Sequence, residues 1–78
     1  MEGNMYVTLN LDELSAPIRA GIAAQTSDKN TLEALAEDTC AEIRARVALN
    51  VHAADYTIDK LKRDTDLIVQ IAISKRAI

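Results

Sequence analysis

The chain has almost no aromatic side chains: 78 residues include two tyrosines and neither phenylalanine nor tryptophan. Its core must therefore be built from alanine, leucine, isoleucine and valine, which suit closely packed helices. A nucleic-acid binder would concentrate lysine and arginine on one face and often add aromatic rings for stacking. The net charge is −3 with both signs interspersed, so we expect no nucleic-acid partner.

Cysteine and long apolar runs are also scarce. Cys40 is the single cysteine, which excludes an internal disulfide and a thiolate metal cage. No apolar run approaches the ~20 residues that span a bilayer, and the opening MEGNMYVTLN lacks the basic and then apolar order of a signal peptide. The sequence predicts a cytoplasmic protein with no membrane partner, no metal and no cofactor.

Catalytic motifs are missing as well. There is no glycine-rich loop, no HxxxH or CxxC and no nucleophile elbow, so we name no catalytic residue and do not expect an enzyme. His52 has no second ligand at metal-binding spacing and is interpreted as a surface or helix-end residue. Cys40 could gain reactivity at a helix start, but without an adjacent histidine it is interpreted as a small structural residue.

Two different motifs alternate along the chain. IRAGIAAQ (18–25) returns as IRARVALN (43–50) after 25 residues, and LIVQIAIS (67–74) follows after a further 24. Between them, TLEALAED (31–38) matches TIDKLKRD (57–64) at a step of 26. This alternation predicts a repeat of one longer and one shorter element.

The longer motif has the period of a helix, because Ile43, Val47 and Val51 fall at i, i+4 and i+8. We expect three helices of this kind, near 17–25, 40–51 and 66–76. Their predicted start signals are Pro17, a capping box over Thr39–Glu42, and Thr65 or Asp66.

The shorter motif predicts helices of one or two turns, partly 3₁₀ in character. Asn30 or Thr31 is expected to cap the first of them, and Asp55 or Thr57 the second. LDEL (11–14) is interpreted as a truncated version. MYVTLNL (5–11) alternates and is interpreted either as a short strand or, since a lone strand has no ladder partner in this chain, as extended coil or a pairing edge. The predicted organisation is an extended segment over 1–10 followed by a single domain over 11–78.

The two motifs together resemble the leucine-rich repeat variant, a HEAT-like family of bacterial repeats. Its pattern is roughly Leu-x-x-Leu-Ala-x-Asp, a short link, then Val-Arg-x-x-Val-Ala-x-Asn. The matching residues of the best copy are Leu32, Leu35, Ala36, Asp38, Ile43, Arg44, Val47, Ala48 and Asn50. The resemblance implies an all-α, right-handed stack of about two and a half repeats. The link VHAAD lacks the family's usual proline, and the last copy has Ile68 for arginine and Ser74 for asparagine.

Arg19 and Arg44 occupy the same position in successive copies. Each lies six residues after an acid, Glu13 and Asp38 respectively, so we expect structural pairs that fix the helix entry. The alternative is a recognition ladder that presents both guanidinium groups to a carboxylate or phosphate partner.

The last helix is apolar almost all round. With Leu67, Ile71 and Ala72 assigned to the core, Ile68, Val69 and Ile73 remain as an uncovered face. Repeat arrays normally end in a polar cap, so this face predicts an interface, most simply a twofold homodimer through the C-terminal helix. The alternative is that MYVTLNL folds back over it.

The functional prediction is a non-catalytic protein–protein interaction or adaptor module. The alternative is a small inhibitor, for example a phage-encoded anti-defence protein, that blocks a basic cleft with its acidic face. A HEAT-like enzyme or nucleic-acid binder would need a basic groove with aromatic residues, which the composition does not provide.

Overall fold

The computed structural model describes residues 10–76 of the chain. This part contains five α-helices, one 3₁₀ helix and no strand, so the all-α prediction is confirmed. The α-helices are α1 (Ala16–Gln25), α2 (Lys29–Leu35), α3 (Ala41–Leu49), α4 (Asp55–Leu61) and α5 (Leu67–Arg76), and the 3₁₀ helix is Leu11–Glu13. The extended segment expected over 1–10 lies outside the described residues except for Asn10.

The longer helices α1, α3 and α5 pack side by side with α3 in the middle. Each short helix lies between two longer ones, since α2 contacts α1 and α3, and α4 contacts α3 and α5. Consecutive longer helices are therefore the main packing partners in this fold.

Over residues 10–76, no helix is long and apolar enough to cross a membrane.

The core is wholly aliphatic, as the scarcity of aromatic residues requires. Central helix α3 contributes Ile43, Ala45, Val47 and Ala48, all buried, because it has a longer helix on each side. The buried apolar side chains outside α3 are Ala23, Leu32, Leu35, Ala36, Ala53, Ile58, Leu61, Val69 and Ala72.

The capping box predicted over Thr39–Glu42 is wrong. Cys40 is the N-cap residue of α3 and makes no side-chain cap bond. Asp38 Oδ1 instead accepts from the Cys40 amide at 2.9 Å, an Asx-type turn that fixes the chain two residues beyond the aspartate. Asp66 meets the expectation for α5, because its Oδ1 accepts from the Ile68 amide at 3.0 Å.

The short helices begin earlier than predicted and are α-helical. Asp28 caps α2: its Oδ2 accepts from the Thr31 amide at 2.9 Å and from the Thr31 hydroxyl at 2.5 Å. At the repeat step of 26, the counterparts are Ala54 and Thr57. Ala54 offers no cap bond, and the buried Thr57 hydroxyl has no hydrogen-bond partner within the described residues. The second short helix therefore lacks the carboxylate that serves both groups in the first.

Ala54→Asp is expected to raise the free energy of unfolding by about 1–2 kcal/mol. The new carboxylate would cap α4 and accept from the Thr57 hydroxyl, as Asp28 does for Thr31. Urea denaturation of the single variant would measure the gain. Repeating it in a Thr57→Val background should give a smaller gain, and an equal gain there would contradict the role of the hydroxyl.

The last copy is displaced by two residues from the alignment expected for it. Asp64 Oδ1 accepts from the Asp66 amide at 2.9 Å, as Asp38 does from Cys40, and Gln70 Nε2 donates to the Asp64 carbonyl at 3.3 Å. In the second copy, Arg44 makes the equivalent bond, to the carbonyl of Asp38. The counterpart of Arg44 is therefore Gln70, 26 residues later, and not Ile68, 24 residues later. Each residue of α5 must be compared with the residue 26 positions earlier.

Candidate interaction surface

Arg19 joins its own helix entry to the link before α3. Its Nε donates to Asp38 Oδ2 at 2.7 Å and its Nη2 to Oδ1 at 3.3 Å. The remaining nitrogen, Nη1, donates to the carbonyl of Leu14 at 2.6 Å. The carboxylate partner therefore comes from the following copy, not from Glu13, which is exposed.

Arg44 repeats this arrangement one copy further on. Its Nε and Nη2 donate to Asp64 at 2.7 and 3.4 Å, and its Nη1 donates to the Asp38 carbonyl at 2.8 Å. Asp38 thus accepts from Arg19 through its carboxylate and from Arg44 through its backbone. We call this chain, Arg19–Asp38–Arg44–Asp64, the arginine–aspartate ladder.

The ladder is mostly withdrawn from solvent. The side chains of Arg19 and Arg44 are 17% and 19% exposed, and those of Asp38 and Asp64 are 8% and 14% exposed. All three nitrogens of each guanidinium donate hydrogen bonds within the chain, so few N–H donors are left for a carboxylate or phosphate ligand. This geometry favours the structural pairing over the recognition ladder.

Both ladder carboxyls are held ionised. Burial of Asp38 opposes ionisation, but hydrogen bonds from Arg19 and from the Cys40 amide outweigh it and lower the pKa of Asp38. The hydrogen bond from Arg44, with that from the Asp66 amide, lowers the pKa of Asp64. Bonds from the Thr31 hydroxyl and amide lower the pKa of Asp28.

Stability is expected to fall as the pH falls below about 5. An unfolded aspartate titrates near ~3.9, and the folded values of Asp28, Asp38 and Asp64 lie lower. The unfolded chain then binds more protons, so the stabilisation is present above the unfolded pKa and is lost as the pH drops through the folded ones. Urea unfolding at pH 7, 5, 4 and 3 would measure this loss. Asp64→Asn should flatten the dependence, and an unchanged slope in that variant would contradict the assignment.

Arg44→Ala is expected to lower the free energy of unfolding by about 1–3 kcal/mol. The change removes the charge-assisted bonds to Asp64 and leaves that half-buried carboxylate without its guanidinium. Arg46→Ala is the matched control, because Arg46 makes an exposed i,i+4 pair with Glu42, which contributes at most a few tenths of a kcal/mol. Equal losses in the two variants, measured by urea denaturation, would contradict a structural ladder.

Asn50 ties the end of α3 to the end of α1. Its Nδ2 donates to the carbonyls of Ala23 and Thr26, both at 2.9 Å, and its Oδ1 accepts from the His52 amide at 2.8 Å. One copy later, Arg76 Nη1 donates to the carbonyls of Ala48 and Asn50 at 3.0 and 2.8 Å. Arg76 lies 26 residues after Asn50 and takes its place.

The bonds of Asn50 and Arg76 show which helix faces meet. Ile43 and Val47 precede Asn50 by seven and three residues and so share its face of α3, the one toward α1. Ile43 lines the same groove as Ala16 and Ala20 of α1. At the α1–α3 junction, a large aliphatic residue of the later helix therefore lies beside alanines of the earlier one.

The opposite face of α3, toward α5, carries Ala41, Ala45 and Ala48. The counterparts on α5 at a step of 26 are Leu67, Ile71 and Ser74. All three are exposed, and Leu67 and Ile71 retain 66% and 46% of their accessible surface. The face of α5 that would meet a further repeat is thus aliphatic and uncovered by any described residue.

The expected assignment of α5 is corrected by this register. Val69 was expected on the uncovered face but is 0% exposed, because it is the counterpart of Ile43 and faces α3. Ile73 is the counterpart of Val47 and is partly buried against the core. Leu67 and Ile71, expected in the core, are exposed, whereas Ala72 is buried as expected.

The uncovered surface therefore consists of Leu67, Ile68 and Ile71, with Lys75 one turn beyond Ile71. We call these four residues the α5 face. Ile68 was expected on it and is 50% exposed. Of the seven large apolar side chains exposed within residues 10–76, three lie on this short surface.

Within residues 10–76, neither His52 nor Cys40 belongs to a group of side chains placed to hold a metal ion. His52 is exposed, and its carbonyl accepts from Lys29 Nζ at 3.0 Å. Cys40 is a partly buried free cysteine at the start of α3. Among residues 10–76, no group of three or more histidine, cysteine, aspartate or glutamate residues is placed to hold a metal ion.

Three comparisons bear on identity and give the same result: the chain matches no family model, no curated protein and no solved structure.

Proposed function

We propose that the chain is a non-catalytic protein–protein interaction module, built as a short HEAT-like stack of the leucine-rich repeat variant kind and acting in the cytoplasm. Support for the repeat architecture comes from the alternation of long and short helices and from the recurring ladder. Arg19 and Arg44 each donate twice to an aspartate carboxylate of the following copy and once to a backbone carbonyl that precedes their own helix. Consecutive copies are therefore joined by one repeated geometry.

The observation that carries the proposed function is the exposed aliphatic surface of α5. Leu67, Ile68 and Ile71 leave 66%, 50% and 46% of their surface in water. Covering such side chains is worth roughly 1.5–3 kcal/mol each when burial is complete. A small domain of this kind has little stability to spare, so the α5 face is best explained as a docking surface.

The inhibitor alternative depends on a free acidic surface, and the structure offers it little support. Glu37 on the α2–α3 link pairs with Lys60 of α4, and Asp59 lies 3.8 Å from Lys62. These neighbouring cations offset Glu37 and Asp59, two of the acids that would enter a basic cleft.

Affinity capture would test the interaction module. The full chain, immobilised, is exposed to lysate of its native host beside Ile71→Glu, which places a charge on the α5 face. Val51→Glu is the matched control, because Val51 is 80% exposed and lies in the loop after α3. We expect the wild type and the control to retain the same protein, either a different partner or further copies of the chain, and Ile71→Glu to lose it. Identical capture by all three would overturn the proposal.

A further inference from the structure

We propose that the α5 face binds the α5 face of a second copy of this chain, with the two helices antiparallel about a twofold axis at Ile71. This inference rests on the proposed function, since it names the partner of the same surface.

The α5 face does not fit another repeat of the kind seen in this chain. At the α1–α3 and α3–α5 junctions the earlier helix offers alanines, Ala20 and Ala23 or Ala45 and Ala48, and the later helix brings the bulkier residues. At a step of 26, Leu67 and Ile71 of α5 stand where α3 has Ala41 and Ala45, whereas Ser74 in the place of Ala48 stays small. A further helix carrying residues such as Ile18 and Ile22 would meet aliphatic side chains where the array supplies alanine, and it could not approach as closely.

The ladder ends at the same place. Arg19 and Arg44 reach into the following copy, but their counterpart Gln70 has no guanidinium, and its amide donates to the carbonyl of Asp64. Gln70 therefore cannot form the charge-assisted bond that an arginine at this position would make to a following repeat. Both observations indicate that α5 ends the array and that its face needs a different occupant.

A second copy supplies a matching surface in the antiparallel orientation. Leu67 and Lys75 lie four residues on either side of Ile71, so a twofold axis at Ile71 sets each Leu67 beside the partner's Lys75. The Lys75 stem can cover Leu67, and its ammonium then approaches the acidic start of α5 at Asp66. A parallel pair would instead oppose the two Lys75 side chains. Charge complementarity therefore selects the antiparallel arrangement.

The interface is small, which sets the expected affinity. The ten residues of α5 form a helix about 15 Å long. A contact along one face of so short a helix buries less than the roughly 800 Å² that each partner contributes to a standard interface. We expect a dissociation constant on the order of 10–100 μM.

Sedimentation equilibrium of the full chain tests the dimer across about 5–500 μM, bracketing the expected constant. The wild type and Val51→Glu should show the same monomer–dimer equilibrium, and Ile71→Glu should weaken it by at least about 100-fold with unchanged helical circular dichroism. A wild type that stays monomeric throughout, or a dimer that Ile71→Glu leaves intact, overturns the proposal. If the wild type is monomeric while lysate capture still depends on Ile71, the second copy is excluded and the interaction module stands.

Disulfide trapping tests the orientation, in a Cys40→Ala background that removes the native thiol. Ile71→Cys should give a covalent dimer under mild oxidation, since the two thiols face each other across the axis. A mixture of Leu67→Cys and Lys75→Cys chains should form the mixed dimer faster than either chain couples with itself. Val51→Cys should stay monomeric. Faster coupling of Leu67→Cys with itself would indicate a parallel pair and overturn the proposed arrangement.

Discussion

Val69→Glu is expected to unfold the chain at room temperature, whereas Ile71→Glu, two residues away on the same helix, is expected to leave the monomer folded. Val69 is 0% exposed on the side of α5 that packs on α3. Placing a carboxylate there removes a core side chain and buries a charge without a partner, at a cost of several kcal/mol. A domain of this size has a total stability on the order of 5–10 kcal/mol.

Far-ultraviolet circular dichroism and thermal unfolding of the two variants, at a concentration below the expected dimer constant, would check this contrast. Val69→Ile is the control for the site, because it keeps an apolar side chain and should fold. A folded Val69→Glu together with an unfolded Ile71→Glu would show that α5 follows the step of 24 suggested by the sequence. It would then contradict the step of 26 found in the structure.

Asn50→Ala is expected to lower the free energy of unfolding by about 2–4 kcal/mol. Two buried backbone carbonyls, those of Ala23 and Thr26, lose their donor, and each buried unsatisfied group costs about 1–3 kcal/mol. Asn50→Asp should be at least as harmful at neutral pH, because it directs a carboxylate at the same two carbonyls.

Arg76→Ala is the matched comparison for Asn50. It removes the equivalent bonds one copy later, but the site is only half-buried, so water can replace the lost donor and the cost should be smaller. Chemical denaturation of the three variants would measure the order. A loss in Arg76→Ala as large as that in Asn50→Ala would contradict this ranking.

The three longer helices were predictable because their apolar residues recur with the helical period. The register of the last one was not, because α5 is apolar almost all round and two alignments leave equally plausible stripes. The spacing of the polar residues indicates the correct register. Asp38 precedes Arg44 by six residues and Asp64 precedes Gln70 by six, which gives the step of 26 already evident between the short helices.

The ladder shows a different limit of sequence reasoning. The acid six residues before each arginine was expected to be its partner, but Glu13 makes no bond to Arg19, and Asp38 meets Arg44 through its backbone carbonyl and not its carboxylate. Arg44 bonds the backbone of Asp38, while the Asp38 carboxylate goes to Arg19 in the preceding copy. Such long-range pairing depends on how the copies stack, and so it required the structure. Likewise, Asp28 was not predicted as the cap of α2, because this helix begins one turn before its first apolar residue.

The double use of Asp38 has a consequence for how the chain unfolds. If α1 frayed alone, the Asp38 carboxylate would lose Arg19 at the very link whose carbonyl anchors Arg44. Loosening the link would in turn weaken the grip of Arg44 on Asp64. Unfolding of one copy therefore destabilises the copy next to it. Such nearest-neighbour coupling makes short arrays unfold as a unit. Amide hydrogen exchange should then report nearly one opening free energy for α1, α3 and α5, with no graded series from the ends inward.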